Sequence, residues 1–446
     1  MEPGATAARR RRRVYSPAAG HPGPFEWCAR VSSATHRRQP RQSGPQVPVG
    51  RSAAGCWSSA RATVERVDAT LPDERWPSLL GADPRGWLLA SDEPAARWSA
   101  LTELLDVDPG RPEAVAAHAA TLADRGTRAL LDRIPEWEVD NHLSGHSSPG
   151  FAPNLLTLLA DLGVRAGDDE RVERLLDAFM AHPDAHGRFM SLSATRTAPT
   201  PVWGALLCDT HAVTDVLVRF GRADEPRVVR ALDRMSADLV ATPQGLAWPC
   251  LPHPVTGFRG PGRVGDACPQ VTLEAVRTWA RLPSDRRPEH AADAARTAVR
   301  VWARRGDAKP YMFGHGRQFT TVKWPTFWYD AFAVLDAVGR FPETWSGPTA
   351  DPVDRRSVAE LVACLVAYNV GPDGTVTPRS CYRGFSGWSF GQKVTPSAFA
   401  TARVAVVLRR FDELTEDVAA VDVAELASSR GGTGRPVPPR TTAPRT

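Results

Sequence analysis

The densest unusual string in the chain runs Lys323-Trp324-Pro325-Thr326-Phe327-Trp328-Tyr329-Asp330. It sets one carboxyl among large rings. A carboxyl facing a dry cavity holds its proton more tightly and can serve as an acid near neutrality. Asp330 is therefore the leading candidate for a catalytic acid. Tyr329 could donate a hydrogen bond beside it. Trp324, Phe327 and Trp328 offer apolar surface and ring faces that stabilise a cation. The competing reading makes Asp330 a helix cap amid an aromatic core. A second set is Cys208-Asp209-Thr210-His211, with Cys268 in the matching place one repeat later. A thiolate, a carboxylate and an imidazole are competent metal ligands. A helix N-terminus can also acidify a thiol into a nucleophile. Plain packing of small residues at repeated helix starts is the alternative. Neither set names a metal or a cofactor, and both stay unknown at this point.

Helices must position these residues. Apolar residues recur three and four apart between about 76 and 412, and Pro or Gly clusters interrupt them. The spacing predicts helices over 96–105, 112–125, 153–162, 170–182, 212–220, 226–240, 272–281, 291–304, 329–338, 353–368 and 398–411. They recur as pairs. Phe151 to Gly163, an acidic linker and a second helix are followed by His211 to Gly221, another acidic linker and another helix. Gly163 and Gly221 each suit a left-handed position after a helix. The linker carboxylates suit the start of the next helix dipole. Helical hairpins of fixed period stack, because none buries its apolar face alone. The long period and the Gly-Arg-Phe and Gly-Leu-Ala-Trp loop endings favour closure. The expectation is an all-α single α/α toroid of about six hairpins over 63–427. A disordered arm at 1–62 and a disordered tail at 428–446 flank it. Inner helices of a toroid line a funnel. There Trp203 and Trp248 would join the substrate-binding rings, and His315 could cover the mouth.

The repeats resemble the terpenoid-cyclase and protein-prenyltransferase toroid superfamily. More narrowly, they resemble uncharacterised bacterial squalene-cyclase-like proteins. The segments carrying the likeness are Gly86-Trp87-Leu88-Leu89, Glu93-Pro94, Arg97, Leu104-Leu105-Asp106, the helices begun by Cys208 and Cys268, and Trp324 to Asp330. The resemblance implies a cyclase- or transferase-like enzyme acting on an apolar, isoprenoid-like molecule. It also implies a comparison with zinc-binding toroids, whose ligands are Asp, Cys and His at inner-helix ends. The Asp-x-Cys order of those enzymes is missing here, because Cys208 directly precedes Asp209. The Asp-x-Asp-Asp acid of class II terpene cyclases is also missing; Gly167-Asp168-Asp169 lacks its first Asp. A non-catalytic toroid that binds a ligand or a protein remains the alternative.

Composition narrows the partners. The 446 residues carry a formal net charge of +5. The first 62 and the last 19 residues supply the excess arginine, and the body between them is net acidic. Nucleic acid is therefore not expected as a partner. No apolar run approaches a membrane span of roughly 20 residues. Seven cysteines at irregular spacing argue for reduced thiols and a cytoplasmic setting. Phosphate-loop, His-Glu-x-x-His and Gly-x-Ser-x-Gly strings do not occur.

Overall fold

A computed structural model describes residues 73–139, 148–195, 199–260, 263–306 and 317–428. Contacts divide the chain into Met1–Ala69 and Thr70–Thr446, and every described residue belongs to the second unit. The expected arm at 1–62 lies outside the described residues.

Proline decides where many of the helices begin. It stands in the first turn of α1 (Pro94–Ser99) and α2 (Pro112–Ala123). After α3 (Arg125–Leu131), it does so again in α4 (Ala152–Leu162). A ring that fixes φ and lacks an N–H costs nothing where the amide has no helical partner anyway. There follow α5 (Glu170–Ala181), α6 (Leu207–Arg219), α7 (Pro226–Ala237), α8 (Pro269–Arg281), α9 (Ala291–Ala303), α10 (Ala331–Val338), α11 (Pro352–Asn369) and α12 (Ala398–Arg409). A π-helical turn, Ala100–Leu104, prolongs α1. No helix among the described residues is long and apolar enough to cross a membrane.

Helix ends follow local chemistry. Gly163 (φ 105°) and Gly221 (φ 81°) are both left-handed. The next amides, Val164 and Arg222, reach back to Leu159 O and Leu217 O at 2.9 Å. Asp124, Asp169, Asp330, Asp351 and Ser397 cap the helices that follow them through side-chain oxygens.

Short strands occupy segments where no strand was expected. Ser191–Ser193 (β1) pairs antiparallel with Val202–Gly204 (β2), and Val240–Thr242 (β3) with Gly245–Ala247 (β4). Lys323–Trp324 (β5) pairs in parallel with Ser380–Cys381 (β6). The helix expected through Val240 therefore stops at Ala237, because Val240 pairs with Ala247.

Two kinds of helix arise from two burial patterns. In α5 the buried residues are Val172, Leu175, Leu176, Phe179 and Met180, one stripe of an amphipathic helix. In α7 they are Val228, Ala231, Leu232 and Met235. By contrast, α6 buries every residue from Asp209 to Val218, and α12 every residue from Ala398 to Leu408. These enclosed helices contact one another in the order α1, α4, α6, α8, α10, α12, and α12 returns to α1. Glu103 joins Arg403 at 2.9 Å across the closing contact. Asp412 Oδ1 accepts from the amides of Arg75 and Trp76 at 2.6 Å.

Candidate functional site

The helix holding Asp330 starts two residues later than the spacing suggested, at Ala331. That shift makes Asp330 its cap: Oδ1 accepts from the Ala333 amide at 3.1 Å. The side chain is fully buried, and Oδ2 has no partner of hydrogen-bond geometry. Burial raises the carboxyl to about 7, against a weaker opposing pull from the Ala333, Lys323 and Phe332 amides. At neutral pH the group is therefore poised between acid and carboxylate.

The parallel β5–β6 pair brings in a residue that the sequence reading missed. Tyr382 follows β6, and its amide donates to Trp324 O at 2.8 Å. Its hydroxyl is buried without a partner, and burial together with the charge of Asp330 pushes its pKa up. Lys323 Nζ lies 3.8 Å from the centre of the Tyr382 ring. Burial lowers that amine. Phe327 faces Tyr382 at 5.5 Å, and Trp324 faces Phe332 at 5.9 Å. Tyr329 is buried under Trp328, with ring centres 4.2 Å apart. His315 lies outside the described residues.

The second set forms a separate group at the starts of α6 and α8. The first helical residue is Leu207, so Cys208, Asp209 and His211 sit in the opening turns of α6. Cys268 is the residue before α8. Asp209 is fully buried and accepts from Ser191 Oγ at 2.7 Å. Burial raises it to about 7, outweighing that hydrogen bond and the one from Cys208. Cys208 is pushed well up by burial and by the charges of Asp209 and Glu274. An acidified, nucleophilic Cys208 is thus not what this environment produces.

Cys250, another residue missed in the sequence, completes this group. The Pro249–Ala267 bridge sets it on the same side as Cys268. The neighbouring Cys268 thiol holds Cys250 down, and the same interaction together with burial pushes Cys268 up. Glu274, on α8, accepts from Gln270 and is raised by burial to about 8. His211 is neutral: burial lowers it to about 4, and its Nδ1 meets Val271 O at 3.1 Å. That contact ties α6 to α8. Trp248 is wholly buried, packs edge-on to His211 and donates from Nε1 to Met235 O at 2.9 Å. Trp203, on β2, stacks on His182 at 3.8 Å. Among the described residues, no group of three or more His, Cys, Asp or Glu is arranged to hold a metal ion.

Farther along the same helices, the buried charges are paired. Asp161 of α4 meets Arg219 of α6 at 2.5 Å and Arg403 of α12 at 3.3 Å. Asp215 of α6 meets Arg277 and Arg281 of α8 at 3.0 and 3.1 Å. Asp336 of α10 meets Arg410 at 2.7 Å. These guanidinium groups hold Asp161, Asp215 and Asp336 below the usual carboxylate range despite burial. The enclosed helices thus carry proton-holding acids toward their starts and ionised pairs toward their ends.

No family model and no curated protein matches the chain. A solved structure described as a protein from Actinoplanes is 16% identical and covers 77% of this chain and 100% of its own, with a TM-score of 0.37. A likeness that slight carries no argument about either fold or chemistry.

Proposed function

We propose that the helical body is an α/α toroid. We read it as a cyclase- or transferase-like enzyme in which Asp330 protonates an apolar, isoprenoid-like substrate. The closed order of enclosed helices supports the toroid. The observation that carries the enzyme reading is the Asp330 carboxyl. It is buried among rings, bound through one oxygen, unpartnered at the other, and raised by burial to about 7. Proton transfer is most efficient when the donor's pKa lies near the working pH. Tyr382 would position the substrate or relay the proton, since its buried hydroxyl also lacks a partner. Unbridged thiols at Cys208, Cys250, Cys268 and Cys381 support a reducing, cytoplasmic setting.

The test is incubation in D2O with isoprenoid alkenes and isoprenoid diphosphates, read by mass spectrometry. The enzyme reading expects one deuterium in a product of the wild type and none with Asp330→Asn. A second reading, a non-catalytic scaffold, is favoured by the ion pairs that occupy the later parts of the enclosed helices. It expects no incorporation from any substrate, and unchanged binding of partners by Asp330→Asn.

A further inference from the structure

A cavity of about 910 Å³ lies apart from the Asp330 group. Its walls come from residues 87–95, 121–129 and 384–398. A row of rings separates the two places: Trp388 on Phe390 at 5.1 Å, Phe390 on Phe399 at 4.9 Å, and Phe399 against Trp324 at 6.4 Å. The volume falls in the range of a pocket for a small organic molecule.

Two indoles frame the cavity. Trp87 is 41% exposed at its edge. Trp388 forms a wall and lies directly on the start of α3. A Cβ on Gly126 would stand 2.7 Å from Trp388 Cζ2, so the ring can occupy this place only over a glycine.

The polar lining is one-sided. Asp92, Glu93 and Asp124 outnumber Arg125, the single base among the lining residues. Glu93 accepts from Ser389 Oγ at 2.9 and 3.0 Å and from the Phe399 amide at 3.0 Å. Asp124 spends Oδ1 on the amides of Gly126 and Thr127, at 2.8 and 3.0 Å. These contacts already occupy amides that an incoming anion would need. Burial raises Glu93 against the pull of its Ser389 and Phe399 hydrogen bonds, and the charge of Asp124 adds a smaller repulsion. A positive ligand would relieve that repulsion, and the indole faces would add to its binding.

We propose that this cavity binds an organic cation, a substituted ammonium carried on an apolar or aromatic body, independently of the Asp330 chemistry. Trp87 and Trp388 provide its ring contacts, and Asp92, Glu93 and Asp124 its counter-charge. The carboxylate–indole lining would also suit a sugar, and the test separates the two.

The test is calorimetric titration of the full chain with benzyltrimethylammonium, benzyl alcohol, phenylacetate and cellobiose. Benzyltrimethylammonium is expected to bind at least about ten-fold more tightly than benzyl alcohol, with no detectable binding of phenylacetate or cellobiose. Asp124→Asn keeps the α3 cap, because Asn caps about as well as Asp. Combined with Asp92→Asn at an exposed position, it should weaken the cation about ten-fold at unchanged Tm. Trp87→Ala should also weaken it. The proposal is overturned if benzyl alcohol binds as well as the cation, or if phenylacetate or cellobiose binds more tightly. Unchanged affinity in the double variant, or no heat from the cation at about 10 mM, overturns it too.

Discussion

Asp330 divides its oxygens between two tasks. Oδ1 holds the start of α10, and Oδ2 is left over. Capping and acid chemistry are therefore compatible in one side chain. Asp330→Asn separates them. The amide caps equally well and cannot titrate, so Tm at pH 7 should not fall, while proton transfer should vanish. A loss of more than about 2 °C would mean that the buried carboxyl supports the fold in a way an amide cannot. Tyr382→Phe removes only a hydroxyl with no partner. It should leave the melt unchanged and lower turnover in the same assay. The residues around Asp330 could be read because they are adjacent in sequence. Tyr382 and Cys250 could not. Each reaches its group through pairing between distant segments, Lys323 with Ser380 and Pro249 with Ala267, and no local spacing announces such pairs.

Helices with one wet face were the easiest to read. The stripes of α5 and α7 show the helical period directly, and their starts at Glu170 and Pro226 agree with the sequence. The enclosed helix α6 was harder. It has no polar face, so the apolar period alone marked only 212–220, while the reading of a helix begun by Cys208 comes within one residue of the observed start at Leu207. Helix ends offer a paired test. Gly163 and Gly221 have the same left-handed role, but their surroundings differ. A Cβ on Gly163 would lie 2.5 Å from Trp98 Cδ1, whereas one on Gly221 meets nothing within 4 Å. Gly221→Ala should cost about 1–2 kcal/mol for the backbone alone. Gly163→Ala should cost clearly more in urea denaturation, because Trp98 must also move. Equal losses would show that Trp98 yields freely.

Across the molecule, the two classes of buried acid give stability a slope with pH. Asp161, Asp215 and Asp336 are ionised and paired. Their contribution is present above the unfolded value of 3.8 and is lost as pH falls below it. Asp209 and Asp330, at about 7, and Glu274, at about 8, act in the opposite sense. Between their unfolded and folded values the native state holds more protons than the unfolded chain, so stability declines as pH rises. Calorimetry should find a higher Tm near pH 5 than near pH 8, and the gap should narrow in Asp209→Asn combined with Asp330→Asn. Asp215→Ala would strand Arg277 and Arg281 in the interior and should cost about 3–5 kcal/mol.

The return of α12 to α1 has a kinetic consequence. In an open stack of hairpins, folding can begin at any neighbouring pair, and an end unit can be trimmed with a modest penalty. Here the bonds joining Glu93 to Phe399, Glu103 to Arg403 and Trp76 to Asp412 span 306, 300 and 336 positions of chain. The last hairpin must find the first before either is fully buried, which is a slow search for so long a loop. Truncation at one end should therefore unravel both. A circular permutant, with these meeting ends joined and the backbone reopened at an exposed turn, should keep the same neighbours while shortening that search.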